Sequence, residues 1–156
     1  MNLMRSYLEY KKLTIEDINS ITQIYINYYN NIENGCWTKE KACKRISQLI
    51  TISDSMCLGM YKEELLIGFI LGYYKQFDDL LAYFLDEIVI DTNHQNKGYG
   101  TSLIKAMEDI VKINGVTLIE LSSVNDKAHI HFYKKSGFYI ADNFIPMGKF
   151  LKETNI

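Results

Sequence analysis

The sequence predicts an α/β fold in which helices accompany one mixed sheet. Two apolar runs at 56–61 and 65–74, joined by a short polar turn, are typical of an antiparallel hairpin. An apolar and aromatic run at 83–90 is followed by a helical pattern from Gly98 and then by a strand at 116–121. Because a helix between two strands makes a crossover, this order implies at least one parallel pair beside the antiparallel hairpin.

The N-terminal third is predicted to contain one strand and two helices. Residues 6–12 can form the strand. Thr14, with acidic residues just after it, indicates the start of a helix that extends to about Tyr29. Thr38 indicates the start of a second helix, ending near Ile52, in which apolar residues recur at helical spacing.

The second half of the chain is predicted to continue the alternation of helices and strands. The long helical pattern has one apolar face, and Gly115 can end it. A further helix follows, which Asn125 or Asp126 can cap. Strands are then expected at 138–145 and, as a short final element, at 147–151.

Composition and charge exclude several classes of protein. At 156 residues with 47% apolar residues, the chain has the size of one domain, and we expect a single domain over 1–156. The net charge of −2 comes from interspersed acids and bases without a basic stripe, so we expect no nucleic acid as the main partner. The apolar run at 65–71 is far shorter than the roughly 20 residues of a membrane-spanning helix, so we expect no membrane partner. No secretory signal pattern begins the sequence, and we expect a cytoplasmic protein.

The cysteines and histidines do not predict a disulfide framework or a metal site. Cys36, Cys43 and Cys57 are odd in number and widely spaced. His129 and His131 lie two positions apart on a predicted helix, where side chains do not face one another. We therefore expect reduced thiols and no metal.

A glycine-bearing turn between the 83–90 strand and the following helix is the most informative stretch. N–H groups at the start of a helix lack intrahelical partners and lie at the positive end of the helix dipole, which favours an anion. Gly98 and Gly100 would let backbone approach a phosphate closely, although an ordinary tight turn can have the same pattern. A dinucleotide fingerprint would need a third glycine where Leu103 stands, and a P-loop would need Gly-Lys-Ser/Thr.

Two motifs in this region resemble those of a known family. Gln95-Asn96-Lys97-Gly98-Tyr99-Gly100 resembles the Gln/Arg-x-x-Gly-x-Gly/Ala signature of the GNAT superfamily of acyl-CoA N-acyltransferases. Residues further along are similar to the second element of that family: Asn125, Ala128, Phe132, Tyr133, Gly137 and Phe138. The resemblance implies a GNAT-like, largely antiparallel central sheet flanked by helices, with acetyl-CoA as cosubstrate.

The resemblance also implies where acetyl-CoA binds. Its pantetheine arm would pair with backbone at 88–90 and contact Asn125, and its pyrophosphate would rest on 96–101. The residues so implied are Ile88, Val89, Ile90, Gln95, Asn96, Lys97, Gly98, Tyr99, Gly100, Thr101, Asn125 and Tyr133.

Three residues are candidates for the chemistry of transfer. By resemblance, Tyr133 is the acid near the coenzyme sulfur; packing of its ring on the sheet is the alternative. Asp86 and Glu87 interrupt an apolar strand, which is costly unless they face water, a partner or a substrate. Strand alternation predicts that they point to opposite faces, so one of them can act as base or bind a cationic amine. Similar acids occupy this place in aminoglycoside and polyamine N-acetyltransferases, which favours Asp86; a purely structural role for both stays open.

The predicted function is therefore acetyl-CoA-dependent N-acetylation of a primary amine, either a small cationic molecule or a peptide amine. The alternative is a non-catalytic acyl-CoA-binding sensor, which would keep the turn but would not need Tyr133 or an acid beside the thioester. A homodimer stays open as an assembly. Aromatic residues can line an acceptor pocket or belong to the core: Tyr28, Tyr29, Trp37, Tyr73 and Tyr74.

Overall fold

Five strands form one open sheet in which neighbours in sequence are neighbours in space. The computed structural model describes residues 7–152. The strands are β1 (Leu8–Lys12), β2 (Leu58–Lys62), β3 (Leu65–Gln76), β4 (Leu81–Ile90) and β5 (Leu118–Leu121). β1 to β4 pair antiparallel, and β5 pairs parallel with β4. The predicted hairpin and the predicted parallel pair are both confirmed, and Ser6 of the first predicted strand lies outside the described residues.

Besides two single turns of 3-10 helix, the described residues contain four α-helices. They are α1 (Ile18–Asn31), α2 (Lys39–Ile50), α3 (Tyr99–Ile113) and α4 (Lys127–Lys135). A single turn of 3-10 helix at Ile15–Asp17 precedes α1, and Thr14 caps it in a capping box with Asp17. Thr38 caps α2 as predicted, its side chain accepting a hydrogen bond from the Lys41 N–H. Of the two candidates for α4, the cap is Asp126.

Helices cover both faces of the sheet. One buried cluster joins α1 and α2 to one face, and its members include Ile21, Ile24, Ala42, Ile46, Phe69, Leu71 and Val89. Alternation along β3 turns Ile70, between Phe69 and Leu71, to the other face. α3 packs against β3 and β4 through buried residues outside that cluster: Leu103, Ile104, Met107 and Val111. No helix in the described part of the chain is long and apolar enough to cross a membrane.

The chain divides into two compact units at the boundary between Ser123 and Val124. The first unit contains the sheet and α1 to α3, and the second contains α4 and the residues after it. The strands predicted at 138–145 and 147–151 are not among the strands of the structure, so this prediction is wrong for the described residues. A strand requires a hydrogen-bonded ladder, and this segment has none within its own unit. The single domain over 1–156 stays a prediction.

Candidate active site

The turn that follows β4 is shaped by hydrogen bonds from its own side chains. Gln95 Nε2 donates to the Ile90 carbonyl at 3.1 Å, and His94 Nδ1 lies 2.8 Å from Asp91 Oδ2. Gly98 then caps α3 in the left-handed region, at a φ of 81°. A residue with a Cβ is strained in this region, whereas glycine is not, so glycine lets the backbone enter α3 at this point.

The start of α3 presents backbone donors. No side chain caps this helix, and its first intrahelical bond runs from the Ser102 N–H to the Gly98 carbonyl at 3.1 Å. The N–H groups of the three preceding residues, at 99–101, therefore have no carbonyl within the helix to bond. A Cβ at Gly98 would have no atom within 4 Å, so the space beside the turn is open. Lys62 Nζ, at the end of β2, donates to Tyr99 Oη at 3.3 Å, which brings a cation to the first residue of α3. Lys97, in the turn itself, is exposed.

β4 extends well beyond its pairing with β5. β5 pairs only with 82–85, whereas β3 accompanies β4 to Ile90. Among the described residues, no strand pairs with the β5 side of 86–90. Backbone N–H and C=O groups on that side lack ladder partners and can bind an extended polar chain, as an added strand would. This unpaired edge runs directly into the turn and the start of α3.

A β-bulge places Asp86 and Glu87 on one side of the sheet. Leu71 of β3 pairs with Glu87 and the next residue, Gly72, pairs with Leu85, so Asp86 has no partner across the ladder. A Cβ on Gly72 would collide with the Tyr83 hydroxyl and the Phe84 carbonyl, so only glycine fits opposite the bulge. Both acids contact Arg45 of α2. The prediction that alternation separates them is wrong, because a bulge adds one residue to the strand and resets the alternation.

Glu87 is a buried carboxylate with two hydrogen-bond donors and one nearby cation. Tyr29 donates to its Oε2 at 2.5 Å, Tyr25 donates to its Oε1 at 3.3 Å, and Arg45 Nη2 lies 3.6 Å from Oε1. Burial raises the pKa of Glu87, while the bond from Tyr29 and the charge of Arg45 oppose that rise. Burial and the charge of Glu87 raise the pKa of both tyrosines, so their hydroxyls stay protonated and donate.

Aromatic side chains pack beside this cluster. The ring of Tyr25 lies 4.5 Å from that of Tyr29 and 5.0 Å from that of Trp37 between centroids. The Asn30 side chain bonds both backbone groups of Trp37: its Oδ1 accepts from the Trp37 N–H at 2.8 Å, and its Nδ2 donates to the Trp37 carbonyl at 2.9 Å. Of the predicted pocket aromatics, Tyr28 packs on Tyr29. Two others pack elsewhere on the sheet, Tyr73 with Phe84 and Tyr74 with Tyr83.

The sequence matches the model of one protein family. The model of the acetyltransferase (GNAT) family matches residues 18–138, which is most of the chain. This chain belongs to the GNAT family. The resemblance read from the 95–100 turn and the residues around Tyr133 is confirmed, as is the fold that it implied.

Individual proteins are similar to this chain in sequence or in fold. An uncharacterized N-acetyltransferase of Methanocaldococcus jannaschii is 24% identical over 145 residues, which is 88% of this chain and 62% of that protein. The chain spans about three fifths of the length of the curated relatives that it matches. Among solved structures, one described as a possible acetyltransferase from Clostridium difficile 630 has a TM-score of 0.80 at 13% identity, covering 93% of this chain and 99% of the other.

Two further GNAT structures contain bound molecules. An aminoglycoside acetyltransferase from an uncultured soil metagenomic sample, in complex with sisomicin, has a TM-score of 0.72 at 15% identity, covering 94% of this chain and 97% of the other. The PaiA N-acetyltransferase of Thermoplasma acidophilum, in complex with coenzyme A, has a TM-score of 0.67 at 23% identity, covering 87% of this chain and 92% of the other.

The GNAT residues of the second unit have a defined local setting. Tyr133 is half-buried on α4, and its ring lies 5.1 Å from Phe132 and 5.7 Å from Phe138 between centroids. Gly137 ends this helix at a φ of 89°, and Asn125 is exposed just before it. The acid role of Tyr133 and the cofactor contact of Asn125 stay predictions.

Histidines pair with single carboxylates in this GNAT protein. His129 Nδ1 lies 2.8 Å from Asp126 Oδ2 in the first turn of α4. Within residues 7–152, no group of three or more histidines, cysteines and acids is arranged to hold a metal ion.

Sequence reasoning missed Arg45 and Tyr25, the partners of the acidic pair. A signal for Arg45 was nevertheless present. It lies three positions after Ala42 and four before Leu49, both buried, so it shares their face of α2. A basic residue on the buried face of a helix predicts a carboxylate within its reach.

Proposed function

We propose that this protein is an acetyl-CoA-dependent N-acetyltransferase that acts on a primary amine. The observation that carries the proposal is the unpaired edge of β4 at 86–90, which leads through the turn at 91–98 to the start of α3, where no side chain caps the helix. An extended chain with amide groups can pair with the edge while an anionic group binds at the helix start. Acetyl-CoA combines these two parts in one molecule.

The residues present fit the coenzyme. The backbone at 88–90 supplies strand-like donors and acceptors for the pantetheine arm. Gly98 leaves open space beside the turn, where the N–H groups at 99–101 would bind the pyrophosphate. Lys97 and Lys62 add positive charge at the same end of the sheet. The coenzyme A bound in the Thermoplasma acidophilum protein of similar fold supports this assignment.

Acetyl transfer requires few groups from the protein. The amine nitrogen attacks the thioester carbonyl as a neutral nucleophile, the carbon–sulfur bond breaks, and the thiolate leaves. A carboxylate at the β4 bulge accepts the amine proton, directly or through water, and Tyr133 donates one to the thiolate. A backbone N–H on the unpaired edge of β4 can stabilise the carbonyl oxygen as it gains charge.

The charges beside the bulge favour a cationic acceptor. When both acids are ionised, the carboxylates of Asp86 and Glu87 outnumber the single guanidinium of Arg45 by one charge. The similar fold of an aminoglycoside acetyltransferase with bound sisomicin is compatible with a small amine acceptor, and a peptide amine stays in the proposal as the second class. We propose that the reaction takes place in the cytoplasm.

A screen that follows thiol release from acetyl-CoA tests the proposal. We expect one or more primary amines among polyamines, aminoglycosides and N-terminal peptides to raise the rate above hydrolysis, with mass spectrometry showing one added acetyl group. A secondary screen should measure acetyl-CoA affinity by calorimetry. Tight acetyl-CoA binding without transfer to any amine would instead support the acyl-CoA-binding sensor.

A further inference from the structure

The two carboxylates at the β4 bulge are not equivalent. Both oxygens of Glu87 accept hydrogen bonds inside the protein, one from Tyr29 and the other from Tyr25. Asp86 bonds Arg45 through Oδ1, and its Oδ2 has no hydrogen bond among the described residues. The side chain of Asp86 is also the more exposed of the pair, at 19% against 10%. Of the two acids, Asp86 alone therefore has a carboxylate oxygen without a hydrogen bond inside the described part of the chain.

Arg45 connects these two environments. Its Nη2 contacts Asp86 Oδ1 and lies 3.6 Å from Glu87 Oε1, so one guanidinium end spans both acids. Burial opposes its charge, but Asp86 and Glu87 raise the pKa of Arg45, which stays charged. Because Arg45 projects from α2 and the acids from β4, the ion pair fixes the direction of the Asp86 carboxylate.

We infer that Arg45 is a positioning residue for acetyl transfer, holding Asp86 so that its second carboxylate oxygen meets the acceptor amine. Glu87, held by Tyr25 and Tyr29, anchors α1 to the bulge. This inference rests on the proposed function. As the nitrogen–carbon bond forms, Asp86 accepts the amine proton and the thiolate leaves with a proton from the acid. Arg45 touches neither reacting atom and acts only through Asp86.

The guanidinium suits this role better than an ammonium would. Its planar fork gives several donors in fixed directions, so it can bond Asp86 while remaining close to Glu87. A lysine at position 45 would keep the charge but not the geometry. We therefore expect Arg45→Lys to restore part of the activity that Arg45→Gln loses.

A double-mutant cycle tests the inference. The variants are Arg45→Gln, Asp86→Asn and the double variant, with kcat/KM measured for the acceptor at saturating acetyl-CoA. We expect Arg45→Gln to lower kcat/KM by roughly 10- to 100-fold, the scale of a misplaced catalytic group. The double variant should be no worse than Asp86→Asn, because Arg45 has no effect once its target is gone. Lys44→Gln, an exposed neighbour on α2, is the charge-matched control and should match wild type.

The outcomes separate this inference from the proposed function. The inference would be overturned if the loss of kcat/KM in the double variant equals the product of the losses in the two single variants. Arg45 would then act independently of Asp86. Failure of Arg45→Lys to exceed Arg45→Gln, with both proteins folded by circular dichroism, would also overturn it. If wild-type protein transfers acetyl to no amine, the proposed function fails and the role of Arg45 fails with it.

Discussion

Tyr29 of α1 donates its hydroxyl hydrogen to Oε2 of Glu87 in β4 at 2.5 Å, across 58 positions of sequence. The bond joins the first helix to the strand that leads into the GNAT turn. A hydrogen bond to a buried carboxylate is worth more than one between neutral groups, because the charge would otherwise lack solvation. We therefore assign it a part in holding α1 against the bulge.

Tyr29→Phe should destabilise the protein by about 1.5–3 kcal/mol, the cost of a lost hydrogen bond to a charged group. Urea unfolding followed by circular dichroism measures the change. Tyr73→Phe is the matched control, since the Tyr73 hydroxyl makes no hydrogen bond within the described part of the chain and its ring packs on Phe84. Equal losses in the two variants would contradict the assignment.

Stability should depend on pH through Glu87. Its pKa in the folded protein is raised by burial from the ordinary value of 4.5, so the folded state binds this proton more tightly than the unfolded state does. The contribution of Glu87 is therefore full below 4.5 and is lost as pH rises through the folded pKa. The titratable and charged side chains that influence the pKa of Glu87 are Tyr25 and Tyr29 from α1, Arg45 from α2 and Asp86 from β4.

The comparison with Glu87→Gln isolates that effect, because glutamine does not titrate. The free energy of unfolding of wild type minus that of Glu87→Gln should fall as pH rises from about 4 to about 8. A difference that stays constant or rises over that range would show that burial does not raise the pKa of Glu87. Urea unfolding at each pH gives both curves.

Gly98→Ala should weaken acetyl-CoA binding. Alanine at a φ of 81° costs about 1–2 kcal/mol of backbone strain. Its methyl group also lies where we propose that the pyrophosphate approaches. Gly115→Ala is the control, since Gly115 has a φ of 89° and equally open surroundings at the other end of α3. Both should lose similar stability, but only Gly98→Ala should lose at least roughly tenfold in affinity, or 1.4 kcal/mol. Equal acetyl-CoA affinities of the two variants by calorimetry would show that the pyrophosphate does not bind beside Gly98.

Tyr133→Phe should lower turnover and leave acetyl-CoA affinity intact. If Tyr133 protonates the leaving thiolate, its loss removes an interaction made in the transition state, and kcat should fall on the order of 10²-fold. Single-turnover kinetics measure the chemical step directly. Tyr139→Phe, an exposed tyrosine in the same unit, is the control. Wild-type single-turnover rates in Tyr133→Phe would leave its ring with a packing role alone.

Local patterns predicted most of the fold. Caps such as Thr14 and Thr38, and the glycine turn at Gly98, act within a few residues, so sequence alone reveals them. The strands expected at 138–145 and 147–151 failed because apolar composition does not specify a ladder partner.

The acidic site could be predicted only in part. Asp86 and Glu87 were evident as charges within an apolar strand, but their shared side of the sheet depends on a bulge opposite Gly72. A bulge is defined by the register of two strands, which periodicity in one strand does not contain. The contacts of Arg45 likewise depend on how α2 packs across β4.

Backbone amide NMR during titration with acetyl-CoA tests whether the coenzyme binds along β4 and at the start of α3. We expect saturable shifts at 88–90 on the unpaired edge of β4 and at 96–101 in the turn and the start of α3. Omitting the phosphates, by titration with S-acetyl-pantetheine, should keep the shifts at 88–90 and lose those at 96–101. Saturable acetyl-CoA binding that leaves the amides of both segments unchanged would contradict the proposed coenzyme site.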